Sequence, residues 1–190
     1  MNKTTKAFAL LFTVGLVLAG CGQKQDSTAT TQAQTTAAPT TATPTTATPT
    51  TVAQAKSEAP ADAKKTVLEA SDEAVTAKMT LYYKDDVLLK QDSETTYIIS
   101  KMEGENPLEA LKRSSAKTEE KLKDFKGKGF EFKAEQKDDI YKITYSFDYT
   151  KLDMQKFKEV FPTLNLRDDN TISYSTYKEA LIKGGYKEKQ

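Results

Sequence analysis

The stretch AVTAKMTLYYKDDVLLKQDSETTYIIS, Ala74 to Ser100, decides how the rest of the chain is read. At its start Val75, Ala77, Met79, Leu81 and Tyr83 alternate with Thr76, Lys78 and Thr80, and only Tyr82 interrupts the polar side. That period of two marks a half-buried strand. Lys84-Asp85-Asp86 supplies turn chemistry, and Val87 to Ser100 resumes as a long second strand, so a hairpin is the economical pairing.

The flanking segments extend the pattern. Asn106-Pro107-Leu108-Glu109 reads as a helix start, with Asn106 as cap, Pro107 at the first helical position and Glu109 reaching back to the cap. Leu108, Leu111, Ser115, Thr118, Leu122 and Phe125 follow three-four spacing, and Gly127 and Gly129 are placed to end the helix. Phe130, Phe132 and Ala134 alternate with charged residues in a third strand. Lys137-Asp138-Asp139 repeats the turn, and Tyr141, Ile143, Tyr145, Phe147 and Tyr149 share one face of a fourth. Asp153 and Ser173 are candidate caps of two further helices, the last with Tyr174, Tyr177 and Leu181 inward and Gly184 as its stop. The expected fold is α+β: an antiparallel sheet of about four strands in two hairpins, with two or three helices packed on it.

Ahead of this domain stands a different kind of chain. Lys3 and Lys6 precede the uncharged run AFALLFTVGLVLA (Ala7 to Ala19), and LVLAGCGQK (Leu16 to Lys24) places small residues before Cys21, the sole cysteine. The run is shorter than the ~20 residues of a membrane span but fits a secretory leader. Leu-Ala-Gly-Cys resembles the bacterial lipobox, which makes Cys21 the expected site of lipidation and of acyl-chain (palmitate-type) anchoring. From Ser27 to Ala55 the chain is uncharged and built almost wholly of Thr, Ala, Pro and Gln, with Pro-Thr-Thr-Ala-Thr at 39–43 repeated at 44–48. This composition reads as a disordered tether. The expected divisions are a leader at 1–20, a lipidated tether at 21–65 and a single domain at 66–190.

Charge and composition exclude several functions. The chain has 28 basic and 27 acidic residues; loss of the leader takes two lysines and leaves 26 against 27, with no bias toward nucleic acid. The sequence contains no His, no Trp and no cysteine besides Cys21. Zinc sites of the usual type and His-activated serine or cysteine nucleophiles are therefore ruled out. No Gly-rich phosphate motif occurs, and no cofactor is expected. Arg167-Asp168-Asp169-Asn170 lacks the spacing of a calcium loop and reads as a polar loop entering a helix. The tyrosines at 141, 145 and 149 read as core rather than as a sugar platform. Lys112, Arg113, Lys117, Lys121 and Lys123 read as a solvated helix face.

One stretch resists the pattern. Lys90-Gln91-Asp92-Ser93-Glu94-Thr95 is polar on both faces of its strand. An exposed edge or bulge is the favoured explanation, with Gln91 and Glu94 open to solvent. A polar groove is the sharper one, with Gln91, Ser93 and Glu94 as ligand contacts.

YYKDDVLLKQDSETTYI (Tyr82 to Ile98) and ALIKGGYKEK (Ala180 to Lys189), with the lipobox and the order of elements, resemble the YehR-like bacterial lipoproteins. The resemblance covers most of residues 66–190 and implies a membrane-anchored α+β domain without a catalytic residue to carry over. The long Thr/Ala/Pro tether departs from that family's shorter form. The expected function is a non-catalytic binding or interaction domain on the outer face of a bacterial membrane, of the Gram-positive type. Its partners would be the membrane, through Cys21, and an envelope ligand or protein. The alternatives are a carboxylate-dependent hydrolase of cell-envelope glycans and a structural envelope protein with a protein partner.

Overall fold

A computed structural model describes residues 60–189. The leader, Cys21 and most of the tether lie outside the described residues. Strands β1 (Lys64–Ser71), β2 (Val75–Lys84) and β3 (Val87–Ile98) form an antiparallel meander. Helix α1 (Pro107–Lys121) leads to the hairpin of β4 (Phe130–Lys137) and β5 (Ile140–Asp148). Helices α2 (Met154–Val160) and α3 (Tyr174–Lys183) follow, and the short β6 (Lys187–Glu188) closes the chain. The six strands make one antiparallel sheet in the order β4-β5-β3-β2-β1-β6.

The α+β class and both hairpins are as the sequence suggests, but the sheet has six strands rather than four. The strand missed at the start, β1, is as long as β4 but less clearly patterned. Its alternation of Thr66, Leu68 and Ala70 with Lys65 and Glu69 is diluted by Val67 on the polar side. The two residues of β6 are too few to carry any period; they are held by pairing with Leu68 and Glu69.

Register shows how the layers form. Directly opposed residues share a face of a sheet. Thr66, Leu81, Gln91, Phe147 and Phe130 make one row across five strands, and Leu68, Met79, Ser93, Tyr145 and Phe132 make the next. All three helices pack on this face. Phe157, Phe161, Tyr174, Tyr177 and Leu181 from α2, α3 and their surroundings join Leu68, Met79, Leu81, Phe130 and Phe147 in the larger core cluster. Leu111 of α1 joins Tyr97, Tyr141 and Ile143 in a smaller one, with Phe132 and Tyr145 touching both. Each fully buried Leu or Phe contributes about 1.5–3 kcal/mol, so the aromatic stack of Phe130, Phe147 and Phe157 dominates the layer contact. The tyrosines behave as core: Tyr141 and Tyr149 are buried and Tyr145 half-buried.

Helix ends follow their sequence signals except at α1, which stops at Lys121, before the Gly127 and Gly129 expected to end it, and starts without its expected cap. Asp153 accepts a bond from Lys156 N at 3.2 Å and Ser173 from Thr176 N at 3.3 Å, as caps do. Asn106, by contrast, makes no side-chain cap, and Glu109 pairs forward with Lys112 at 3.2 Å instead of reaching back. Pro107 already removes one donor from that first turn. Gly129 (φ +105°) is required where the chain enters β4, because a Cβ there would lie 2.7 Å from the Asp148 carbonyl oxygen.

The polar stretch of β3 is not an edge. β3 is the third strand from one side of the sheet, paired with β2 and β5 along most of its length. A bulge does occur beside it, where the register slips between Tyr82 and Tyr83 and leaves Leu89 unopposed. The expectation that Gln91 is solvent-accessible is likewise corrected: it is 1 % exposed.

Candidate functional site

Beyond the β5 turn Tyr149 still points to the helix-bearing side, and on α3 the three-four spacing of Tyr174, Tyr177 and Leu181 turns Tyr177 the same way. Gln91 meets both. Its Oε1 accepts from the Tyr177 hydroxyl at 2.5 Å and from the Tyr149 hydroxyl at 3.1 Å, and its Nε2 donates to Ser93 Oγ at 3.0 Å. Four buried polar side chains thus satisfy one another inside an aromatic core. A polar group left unpaired there costs about 1–3 kcal/mol, which is why such clusters are complete. Burial pushes both hydroxyls above the ordinary tyrosine range, keeping them protonated donors.

Tyr177 also forms part of the wall of a cleft of about 310 Å³ between α3 and the segment that leads from α2 into it. Leu164, Leu166, Ile172 and Ala180 supply apolar surface, and Asn165, Ser173 and Thr176 supply neutral donors and acceptors. Arg167, at one side, is engaged by the carboxylate of Asp86. That aspartate sits in the β2–β3 turn in the left-handed region (φ 62°) and reaches across to the start of α3. Its Oδ1 accepts from Ser175 N at 2.7 Å and its Oδ2 from the Ser173 hydroxyl at 3.0 Å. The Ser175 amide, then the serine hydroxyls and the Arg167 charge, hold its pKa below the ordinary carboxylate value. The turn of one hairpin therefore ties down the mouth of the cleft and the helix start that lines it.

The structure separates the three residues singled out in β3. Gln91 and Ser93 lie on the helix-bearing face, behind the cleft and bonded to protein partners. Glu94 lies on the opposite face, where its Oε2 pairs with Lys142 Nζ at 2.8 Å. On that face too, Lys90, 2 % exposed, places Nζ 2.9 Å from Asp92 and 5.1 Å from the centre of the Tyr82 ring. Tyr177 and Asp86 were not picked out from sequence as site residues, and Tyr149 and Arg167 were weighed only to be read as core and as polar loop. Gln91 and Ser93 two apart on one strand face, with tyrosines inward on two other elements, were the available signal.

Among the described residues six carboxylates have clearly shifted pKa values: Asp86, Glu135, Asp148, Asp153, Asp169 and Glu179 are all held below the usual range. A glycosidase acid needs the opposite shift, so none of these six fits that role. Asp169 spends its Oδ1 on the amide of Thr171 at 3.0 Å, closing the polar loop before α3. Among the described residues no cluster of three or more acidic or cysteine side chains could hold a metal ion.

The family described as "Protein of unknown function (DUF1307)" matches residues 64–187. The chain belongs to that family. The resemblance read in Tyr82–Ile98 and Ala180–Lys189 is borne out by this match. Among solved structures, the NMR structure of E. coli YehR is 22 % identical, covering 67 % of this chain and 91 % of that one, with a TM-score of 0.47. An NMR structure of a protein from Streptococcus pneumoniae TIGR4 is 19 % identical, covering 80 % of this chain and 100 % of that one, with a TM-score of 0.44. Comparison with curated proteins gives no match.

Proposed function

We propose that this DUF1307 domain is a non-catalytic binding module, held at the outer face of a bacterial membrane by acyl chains on Cys21, and that it takes its ligand in the cleft beside Tyr177. The observation that carries the binding site is the cleft itself. It combines an apolar wall with neutral hydroxyl and amide groups, and its floor is pinned from behind by the buried Gln91 cluster. Small, largely apolar pockets with a few placed polar groups are the usual form of a ligand site. A pinned floor also lowers the ordering cost of binding. The lining suits a small uncharged ligand with one apolar face, such as a sugar or a short peptide segment from the envelope. The anchoring half of the proposal rests on LVLAGCGQK and its basic, apolar and small-residue lead-in.

The test is a melting-temperature screen of the full chain against peptidoglycan fragments, teichoic-acid pieces, sugars, short peptides and divalent cations. A ligand at 100 times its dissociation constant should add about 2.7 kcal/mol. Ala180→Phe, which fills the cleft from α3, should abolish that shift and leave the unliganded melting temperature near its original value. A shift that survives Ala180→Phe places the ligand elsewhere; no shift with any compound favours a protein partner. For the anchor, Cys21→Ala should release the protein from membranes and end incorporation of labelled lipid. Attachment that persists in this variant refutes the anchor.

A further inference from the structure

The two edges of the sheet differ. On one side β1 is partly covered by β6, a strand of two residues, and Lys189 N adds a bond to the Val67 carbonyl at 2.9 Å. On the other side β4 runs for eight residues and, among the described strands, pairs only with β5. A long edge strand offers a row of backbone donors and acceptors to another chain.

The register shows which groups those are. Asp148 N donates to Gly129 O at 2.7 Å, which makes Gly129 and Asp148 a hydrogen-bonded pair. Such pairs alternate along an antiparallel ladder. Glu131, Lys133, Glu135 and Lys137 therefore turn their backbone groups toward β5, while Phe132, Ala134 and Gln136 turn theirs outward. Phe130 is excluded, since its carbonyl already accepts from Gly127 N at 3.1 Å. A hollow of about 400 Å³ between α1 and β4 keeps the helix side of this edge open.

The side chains on the opposite face of β4 follow a matching rule. They read Glu131, Lys133, Glu135, Lys137, in strict alternation of sign. Lys133 and Glu135 are well exposed, 63 % and 48 %, and pair with each other at 2.7 Å. If a second β4 is laid antiparallel with Ala134 on a two-fold axis, Ala134 opposes itself and Phe132 opposes Gln136. Every outward backbone group then meets an outward partner. The same operation sets Lys133 against Glu135 and Glu131 against Lys137, four ion pairs across the axis. A shift of the axis by one residue, to Lys133 or Glu135, still lets outward groups face outward groups but opposes like charges throughout, and a shift by two, to Phe132 or Gln136, restores opposite charges with only two ion pairs. Charge and the number of ion pairs thus favour the register centred on Ala134.

We propose that β4 is a self-association edge, through which two copies of this chain join about a two-fold axis at Ala134 into one continuous antiparallel sheet. The interface is isologous, and the same charges that admit a second copy deter unrelated strands.

Sedimentation equilibrium of the full chain in density-matched detergent tests this. The native chain should show a concentration-dependent monomer–dimer equilibrium. Lys133→Glu and Glu135→Lys, each alone, put like charges opposite one another and should weaken association at least about tenfold. Mixing the two variants in equal amounts restores opposite charges at both positions, and a heterodimer of native affinity should form. Both side chains are exposed, so melting curves should stay close to the native one. A chain that is monomeric at all concentrations overturns the proposal. So does association that neither substitution weakens, or a mixture that fails to recover it.

Discussion

The two faces of β3 carry similar residues and do opposite things. Gln91 and Ser93 face the helices and share their polar atoms with two tyrosines in a sealed core. Glu94, their neighbour in sequence, faces away from the helices and pairs with Lys142 across a half-open surface. A hydrogen bond in the first setting has no water to replace it; an ion pair in the second competes with water and salt. The same polar composition is therefore structural on one side and nearly neutral on the other.

Alkaline titration should strain this contrast most, because it acts on several core-face tyrosines at once. Burial raises the pKa of Tyr97, Tyr149 and Tyr177, and that of Tyr186 is pushed up to about 12. Their contribution to stability is complete below pH 10, the unfolded value, and is lost as pH climbs from 10 toward the higher folded values, since only the unfolded chain can release those protons. Melting temperature should fall steeply above pH 10, with phenolate absorbance rising only as the chain unfolds. A flat profile to pH 12 would show that these hydroxyls are not sealed.

Gln91→Ala comes next. It deprives Tyr149 and Tyr177 of their shared acceptor and opens a cavity, for an expected loss of about 3 kcal/mol by urea unfolding. A loss below about 1 kcal/mol would mean that water enters the cluster. Tyr177→Phe removes one donor and leaves Gln91 a second, so about 1 kcal/mol is expected by the same measurement. Glu94→Ala should cost less than about 0.5 kcal/mol, and that cost should vanish in high salt. Equal losses from Gln91→Ala and Glu94→Ala would erase the distinction between the faces.

Much of the fold was legible. The alternation in β2, β4 and β5, the Asp-containing turns and the caps at Asp153 and Ser173 are local rules, satisfied within a few residues of where they are written. β1 and β6 were hidden because their places come from partners: β1 from its pairing with β2, β6 from two residues of β1. The site was less legible still. Gln91 and Ser93 were marked as unusual, but Glu94 was grouped with them by sequence adjacency, and a strand sends adjacent residues to opposite faces. The two Lys-Asp-Asp turns show the same limit. Asp86 reaches the start of α3, while Asp139 accepts from Ser100 N at 2.8 Å after β3. Identical tripeptides take different anchors because different elements lie within reach.

By itself the sequence settled the α+β class, the two hairpins, the helix bearing Leu111 and the tyrosines that turn inward, since period, turn chemistry and capping act over a handful of residues. Only the tertiary structure decided that β3 is central, that a glutamine is the hinge of the aromatic core, and that β4 is left as the long open edge. Those outcomes depend on which strands become neighbours, and strand order is set by the packing of segments far apart in the chain rather than by the residues within any one of them.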